Sequence, residues 1–543
     1  MTSRAAGKRV VIVTGGGAGI GAAIATELGR CGDHVVTVDP LVAVDGTAAP
    51  TDSAPTTAER ITTLGGSAEA SNTSVTDASA MQTLVTDLVD RYGRLDAVVN
   101  AAGISRPTGF AKGEEADWAA VIDVHLHGYL NVLTAVMPHF ARVGAGHVVG
   151  VTSGSGWRSA DAGAYGCAKR AVASLTWKLG RVAPDGVHVN AISPIAMTRM
   201  VTSALKRNTT QPTSGSRVSG GLALGALPPP EHLGPLGAAM AGHVPTPRGR
   251  ILFAGGSEVA LLREPQLIET IRTAGTSSVE SVVQSFLPTL IAAEKQQSTT
   301  GGANARFGEI FSAPLADAES PTGLNVLIVS DRLDLATSLT KRFTHSGCNV
   351  MTVTPDQAGA GFDGAKSLLQ NAFAGDIVNL VIIALAGTVI DDADENWQSV
   401  IGAHSEFGAE IIADARWARA VADYAIEHQT NLRIVNVIDA RNQRGSTRGQ
   451  TVAQLFRAAR GATQDLVSAF AIAEESANNH EATVALTHAC AKMAESSELS
   501  GAELVVGDGW VGLRSHPSPA GSMVFGGPEL PVWFASVLGE MSR

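Results

Sequence analysis

The chain has 543 residues, 45% of them apolar and 17% charged; at roughly 100–200 residues per domain it is long enough for two to four domains and too apolar for general disorder. Its 59 glycines and 5% aromatic content suit closely packed α/β layers, and a net charge of −11 speaks against a nucleic-acid partner. Cys31, Cys167, Cys348 and Cys490 are widely spaced and form no C-x-x-C pair, which predicts no disulfide framework, no metal site, and a reducing compartment, the cytoplasm.

Basic Arg4, Lys8 and Arg9 precede the apolar run Val10–Val13, but that run stops at Thr14-Gly15-Gly16-Gly17, so it reads as a strand entering a loop and not as a leader. No apolar run is long enough to predict a membrane span. From there, short β-branched runs alternate with longer helical patterns. Val10–Val13, Val35–Val38, Ala97–Val99, Val148–Val151 and Val187–Ala191 read as buried strands; Ala22–Cys31, Ala78–Tyr92, Trp118–Phe140 and Tyr165–Val182 read as helices. Continuously apolar strands separated by helices predict a doubly wound parallel sheet. A last strand, Gly249–Phe253, follows a loop-rich stretch from about 200 to 248 that is expected to form a substrate lid. Residues 296–322 turn polar and irregular and are expected to link two domains, 1–295 and 323–543, the second ending in a tail, Pro517–Arg543, that could swap onto a neighbouring subunit.

Beyond the linker the pattern starts again. Val326–Val329 repeats the first strand, and NVMTVTP (Asn349–Pro355) echoes HVVTVDP (His34–Pro40). Asn396–His404 echoes Asp117–His125, Arg433–Ile438 echoes His147–Thr152, and Gly501–Leu513 echoes Gly249–Leu261. Five matches in the same order indicate a tandem duplication of one α/β domain.

The first copy carries chemistry. Thr14, Gly15, Gly17, Gly19, Ile20 and Gly21 lie in a glycine-rich turn between a strand and a helix, where bare backbone and a helix N-terminus can receive a pyrophosphate. Asp39 ends the second strand, placed to accept from ribose hydroxyls and to repel a 2′-phosphate, which favours NAD over NADP. Tyr165 and Lys169 stand one helical turn apart, so they share a face. An ammonium beside a phenol stabilises the phenolate and makes proton transfer feasible near neutrality. Ser153, just past a buried strand, can hydrogen-bond a substrate oxygen; Ser155 is the alternative.

These residues, with Asn100-Ala101-Ala102-Gly103 and Ser193-Pro194-Ile195-Ala196-Met197-Thr198, resemble the short-chain dehydrogenase/reductase family over about residues 8–262. The resemblance implies two tandem Rossmann-type α/β domains, the second degenerate. It implies Tyr165 as acid/base, Ser153 polarising the substrate oxygen, and Lys169 binding the nicotinamide ribose. Asn100, Ala101 and Gly103 would hold the sheet and loop near the cofactor, Val75 would meet the adenine, and Pro194, Ile195 and Thr198 the carboxamide end. Ser153 precedes Tyr165 by one position fewer than is common, Ala101 replaces an Asn, and Ser74 replaces an Asp. His125 stands where an Asn often completes a proton relay. That His, with Asp123–Gly128, Met137–Phe140 and Pro230–His232, resembles the dehydrogenase unit of peroxisomal multifunctional enzyme type 2. The expectation is an NAD-dependent oxidation of a 3-hydroxyacyl-CoA or hydroxysteroid; an NADPH-dependent 3-oxoacyl reductase and a scaffold for another enzyme are the alternatives.

In the second copy, Ser330-Asp331-Arg332-Leu333 replaces the glycine turn, and Thr354 and Ala384 replace Asp39 and Asn100. Asp439, Leu455 and Ala459 align with Ser153, Tyr165 and Lys169, so no proton-transfer pair can be assembled. Its helices, expected at Trp397–Glu427 and Val452–Glu474, would pair with the first copy as an internal pseudo-dimer, and the whole chain would form a homodimer.

Overall fold

The computed structural model describes residues 7–48, 54–208, 227–256, 258–275, 278–297, 321–359, 361–387, 396–477, 479–492, 495–525 and 529–543. Among these residues the strands are β1 (Val10–Thr14), β2 (His34–Val38), β3 (Ser67–Ser71), β4 (Ala97–Asn100), β5 (Gly146–Val151), β6 (Val187–Ile195), β7 (Ile251–Gly255), β8 (Glu258–Arg263), β9 (Leu267–Arg272), β10 (Asn325–Ser330), β11 (Asn349–Val353), β12 (Leu380–Ala384), β13 (Leu432–Asp439), β14 (Val467–Glu474), β15 (Glu503–Gly507), β16 (Trp510–Arg514) and β17 (Ser518–Val524). They form two sheets, ordered β17-β8-β7-β6-β5-β4-β1-β2-β3 and β11-β10-β12-β13-β14-β15-β16-β9. Both are parallel at their centres, and helices cover both faces, which makes each an α/β Rossmann-like layer.

The central strands are buried along their whole length, as their Val/Ile runs require: Val10–Thr14 and Ala97–Asn100 have no exposed residue. The parallel register sets Thr14 opposite Val38 on one side and Asn100 on the other. The carboxyl ends of β1, β2, β4 and β5 therefore open along one edge of the sheet, where ligands of such folds bind. The Gly163–Val182 helix is buried on nearly all sides, because it lies between its own sheet and the Gln443–Phe456 helix of the second half.

The two sheets are knotted together by an exchange of edges. β9 belongs to the second sheet, antiparallel to β16, and the Val279–Gln297 helix packs in that half's core. In return β17 closes the first sheet against β8, and Phe534 and Leu538 of the C-terminal helix Phe534–Met541 are buried in the first half's core. The division at 295 is thus corrected: the chain crosses to the second sheet after β8 and returns for β17. The tail packs on its own chain, since β8 offers an unpaired edge to it. Residues 298–320 of the expected linker, and 209–226 of the expected lid, lie outside the described residues.

Two helix expectations fail. Trp397–Glu427 divides into the helices Trp397–Ala403 and Phe407–His428, broken at His404. Val452–Glu474 is not one helix; the helix Gln443–Phe456 ends, a short turn Ala459–Ala462 follows, and Val467–Glu474 is the fully buried strand β14. Its VSAFAIAE is a buried apolar run with no helical stripe, and such runs fit a central strand. The alignment shifts with it. Asn100 pairs with Gly150, and Ile383 with Asn436, so Ala384 is level with Val437 and Ala440, not Asp439, stands at the place of Ser153. The Gln443–Phe456 helix contains neither Tyr nor Lys, so the loss of the pair holds in any register.

Candidate active site

A cavity of about 540 Å³ opens along the carboxyl edge of the first sheet. It runs from Asp39 and Val75, past Gly15, Gly19, Ile20 and Gly21, to Ala101, Gly103, His125, Ser153, Tyr165 and Lys169, and ends at Pro194, Ile195 and Thr198. Thr14, Gly17 and Asn100 stand behind this wall. Thr14 Oγ1 donates to Asn100 Oδ1 at 2.6 Å and accepts from Ala102 N at 3.3 Å, which ties the two loops together.

The glycine turn fits a dinucleotide phosphate. Gly15 and Gly19 have φ of +64° and +57°. A Cβ on Gly15 would stand 2.6 Å from Ala101 O, and one on Gly21 2.2 Å from Gly15 O, so the backbone is packed too closely for side chains. The helix Gly19–Arg30 begins without a side-chain cap, which leaves its first N–H groups to a ligand. Asp39 is held facing the turn: its carboxylate accepts from Gly17 N at 2.9 Å and Leu41 N at 2.8 Å. Val75 is fixed by Asn131, whose amide donates to its carbonyl at 2.9 Å, and it fits because Gly128 beneath it has no Cβ.

At the other end Tyr165, Ser153 and Lys169 meet. Burial pushes the Tyr165 phenol above its ordinary value, and its hydrogen bond to Ser153 offsets only part of that rise. Ser155 also lines the cavity, but its N–H donates to Ser153 Oγ at 3.2 Å, so it supports Ser153. Lys169 Nζ lies 5.8 Å from the centre of the Tyr165 ring and donates to Val151 O at 2.5 Å. Burial brings the Lys169 ammonium down to about 7.

His125 sits in a π-helical turn, Asp123–His127, between the helices Glu115–Ile122 and Gly128–Val143. Single π-turns of this kind are frequent at functional sites. The ring packs on Gly103 and stands edge-on to Tyr165, with centroids 4.9 Å apart. Nε2 lies 2.8 Å from Ile104 O and 3.2 Å from Ile104 N, while the buried Nδ1 has no partner among the described residues. Burial and the Lys169 charge bring the imidazole down to about 3, so it is neutral.

The sequence motifs miss several wall residues, among them Arg106, Val44, Arg158 and Met200. Arg158 lies over the rings of Trp157 and Phe253, at 4.4 and 4.9 Å. It falls in the stretch between Ser153 and Tyr165, which has no motif.

In the second half the corresponding turn is filled. Asp331 Oδ1 accepts from Ala386 N at 2.6 Å, Arg332 pairs with Glu474, and Arg441 pairs with Asp439. Side chains occupy the place of the phosphate cradle.

The short chain dehydrogenase family profile matches residues 9–210. A short-chain type dehydrogenase/reductase of Mycobacterium tuberculosis is 38% identical over 194 residues, covering 35% of this chain and 68% of the relative. The chain belongs to the short-chain dehydrogenase/reductase family. Peroxisomal multifunctional enzyme A of Dictyostelium discoideum is 32% identical over 199 residues, 36% of this chain and 44% of that one. Mouse peroxisomal multifunctional enzyme type 2 is 33% identical over 201 residues, 36% and 27%. Both halves together match the N-domain of a bacterial malonyl-CoA reductase, solved with NADP, with a TM-score of 0.63 over 90% of this chain and 95% of that one, at 16% identity, which shows a shared fold. The helical run Glu115–Val143 is apolar and long enough to cross a membrane, but its apolar window is 67% buried inside the fold, which makes it a core element.

Proposed function

We propose that the protein is an NAD-dependent dehydrogenase interconverting a secondary alcohol and a ketone, with a 3-hydroxyacyl-CoA or a hydroxysteroid as substrate. The observation that carries the reading is the meeting of Ser153, Tyr165 and Lys169 at one end of a cavity whose other end is a bare glycine turn beside Asp39. The bound nicotinamide cofactor supplies the hydride acceptor, or donor in reverse. Gly15, Gly19 and the start of the Gly19–Arg30 helix would receive its pyrophosphate, Asp39 its adenosine ribose, and Pro194, Ile195 and Thr198 its carboxamide end. Ser153 orients the substrate oxygen, and Tyr165 takes its proton. Lys169, while charged, favours the phenolate. His125, neutral and with its buried Nδ1 unpartnered among the described residues, would hold a water that passes the proton outward. The similarity to peroxisomal multifunctional enzymes supports the acyl-CoA substrate class. The second half acts as a structural partner, and four unpaired cysteines support a reducing compartment such as the cytosol.

The test is nicotinamide reduction followed by absorbance, with NAD and NADP, on a panel of 3-hydroxyacyl-CoAs and hydroxysteroids. Tyr165→Phe should cut kcat by about 10²–10⁴-fold while NAD still binds. Binding of neither cofactor would refute the reading and leave a scaffold; turnover with NADPH alone would make the protein a reductase of the rival kind.

A further inference from the structure

The loop that follows Ser153 is held from the opposite half of the chain. Ser153, Gly154, Ser155 and Arg158 all line the cavity. Ser153 caps a short 3-10 turn, Gly154–Gly156, so the loop and the serine move as one unit. On one side the loop is anchored to its own sheet: Trp157 Nε1 donates to Ser193 Oγ at 2.9 Å, and its ring meets Phe253 edge-on. On the other side its carbonyls face the end of the Gln443–Phe456 helix. Gln454 Nε2 donates to Ser155 O at 3.0 Å and to Arg158 O at 2.8 Å. Arg457 Nη1 donates to Trp157 O at 2.7 Å. Gln454 is 5% exposed, so water cannot readily replace these donors. The helix that presents them is seated against the catalytic helix by Ser174 on Thr447, at 3.1 Å, and Cys167 on the Thr451 carbonyl, at 3.8 Å.

We propose that Gln454 and Arg457 are positioning residues for the substrate loop 153–159, through which the half without catalytic groups sets the geometry at which Ser153 meets the substrate. The proposal rests on the function argued above. A serine that orients a reacting oxygen must be held to a fraction of an ångström, and displacement by about 1 Å from a distant change can cost about 100-fold. The second half contributes no acid, base or phosphate cradle, yet it donates three hydrogen bonds to the loop that begins at Ser153.

The experiment uses the full chain with Gln454→Met, Arg457→Met, the two together, and Arg457→Lys. Amide exchange over residues 153–160, NAD affinity, kcat and KM are measured on each. The double variant should exchange faster in this loop and no faster in β13 and β14, bind NAD as the parent does, and lose about 10- to 100-fold in kcat/KM. Arg457→Lys, which keeps a donor, should recover most of the Arg457→Met loss. Unchanged loop exchange overturns the proposal, and so does faster exchange with unchanged kcat/KM. Should the double variant fail to fold, each single variant carries the same comparison. Should the parent protein turn over no alcohol, the proposed function fails by itself; loop exchange then decides alone, faster exchange upholding the clamp and unchanged exchange overturning it.

Discussion

Cofactor choice should turn on the Asp39 carboxylate. It stands partly exposed at the end of β2, fixed by the N–H groups of Gly17 and Leu41. Opposed to a 2′-phosphate at about 6 Å, with an effective dielectric of about 20, it costs about 3 kcal/mol for each unit of phosphate charge. Partial exposure lowers that figure and the second phosphate charge raises it, so roughly 2–4 kcal/mol separates NADP from NAD. At 1.4 kcal/mol for each tenfold, Asp39→Asn should move the NADP/NAD ratio of kcat/KM by about 30- to 1000-fold towards NADP. Asparagine keeps the Oδ1 acceptor for Leu41 and removes the charge together with the Oδ2 acceptor for Gly17 N; keeping the Leu41 bond matters because Leu41 holds a positive φ of 56° that a slack loop would release. Asp39→Ala is the companion and should also weaken NAD itself by about tenfold through lost hydrogen bonds. The assay is kcat/KM with each cofactor at fixed substrate, backed by direct binding of both. A ratio that moves by less than about tenfold in Asp39→Asn, or a parent enzyme that prefers NADP, refutes the electrostatic argument.

Arg448, 3% exposed, forms a two-pronged pair with Asp414 at 2.7 and 2.9 Å, and Asn436 donates to the same carboxylate at 2.8 Å. Arg448→Met would strand a buried charge and should lower stability by about 3–5 kcal/mol, read by denaturant unfolding. A protease site engineered between residues 298 and 320 should, once cut, leave fragments that co-elute, because β9 stays in the second sheet and β17 in the first; separation on a sizing column would contradict the exchange. His125 is held down to about 3 by burial, whereas the unfolded chain protonates near 6.5, so the unfolded state binds more protons between those values. Stability should therefore fall as pH falls from about 6.5 towards 3, and His125→Gln should remove its share of that slope in a Tm-versus-pH series.

The first half was legible where physics writes short codes. Val10–Val13 and Ala97–Val99 are buried on both faces and must be apolar throughout, and the glycine turn between β1 and its helix needs positive φ. β3 was not legible, because SAEAS is a polar edge strand paired on one side only and carries no β-branched residue. The π-turn at Asp123–His127 was hidden too, since DVHLH keeps a helical pattern and the inserted residue shows only in the backbone. The duplication was readable from five echoes, but the exchange of β9 and β17 was not. Each of these edge strands would satisfy its apolar and polar faces on either sheet, and only three-dimensional pairing decides which one it joins. Gln454 and Arg457 escaped notice for a related reason: a side chain that serves a loop about 300 residues away, as their bonds to Trp157 and Ser155 do, leaves no local pattern.

Duplication also explains why one copy could lose its chemistry without losing its place. In a symmetric pair of helices, a substitution in the interface strikes both active sites at once. Once the two copies are fused, the Gln443–Phe456 helix can drop its tyrosine and lysine while the Gly163–Val182 helix keeps Tyr165 and Lys169. The groups of the second helix that touch the first half are Thr447 on Ser174, and Gln454 and Arg457 on the loop after Ser153. The exchanged edges then remove the remaining weakness of a pair, which is dissociation. With β9 in one sheet and β17 in the other, each half completes the other's sheet, and the effective concentration of the partner is set by the fold itself and not by how much protein the cell contains. The loop after Ser153, hydrogen-bonded from the second half, is thereby never without that neighbour.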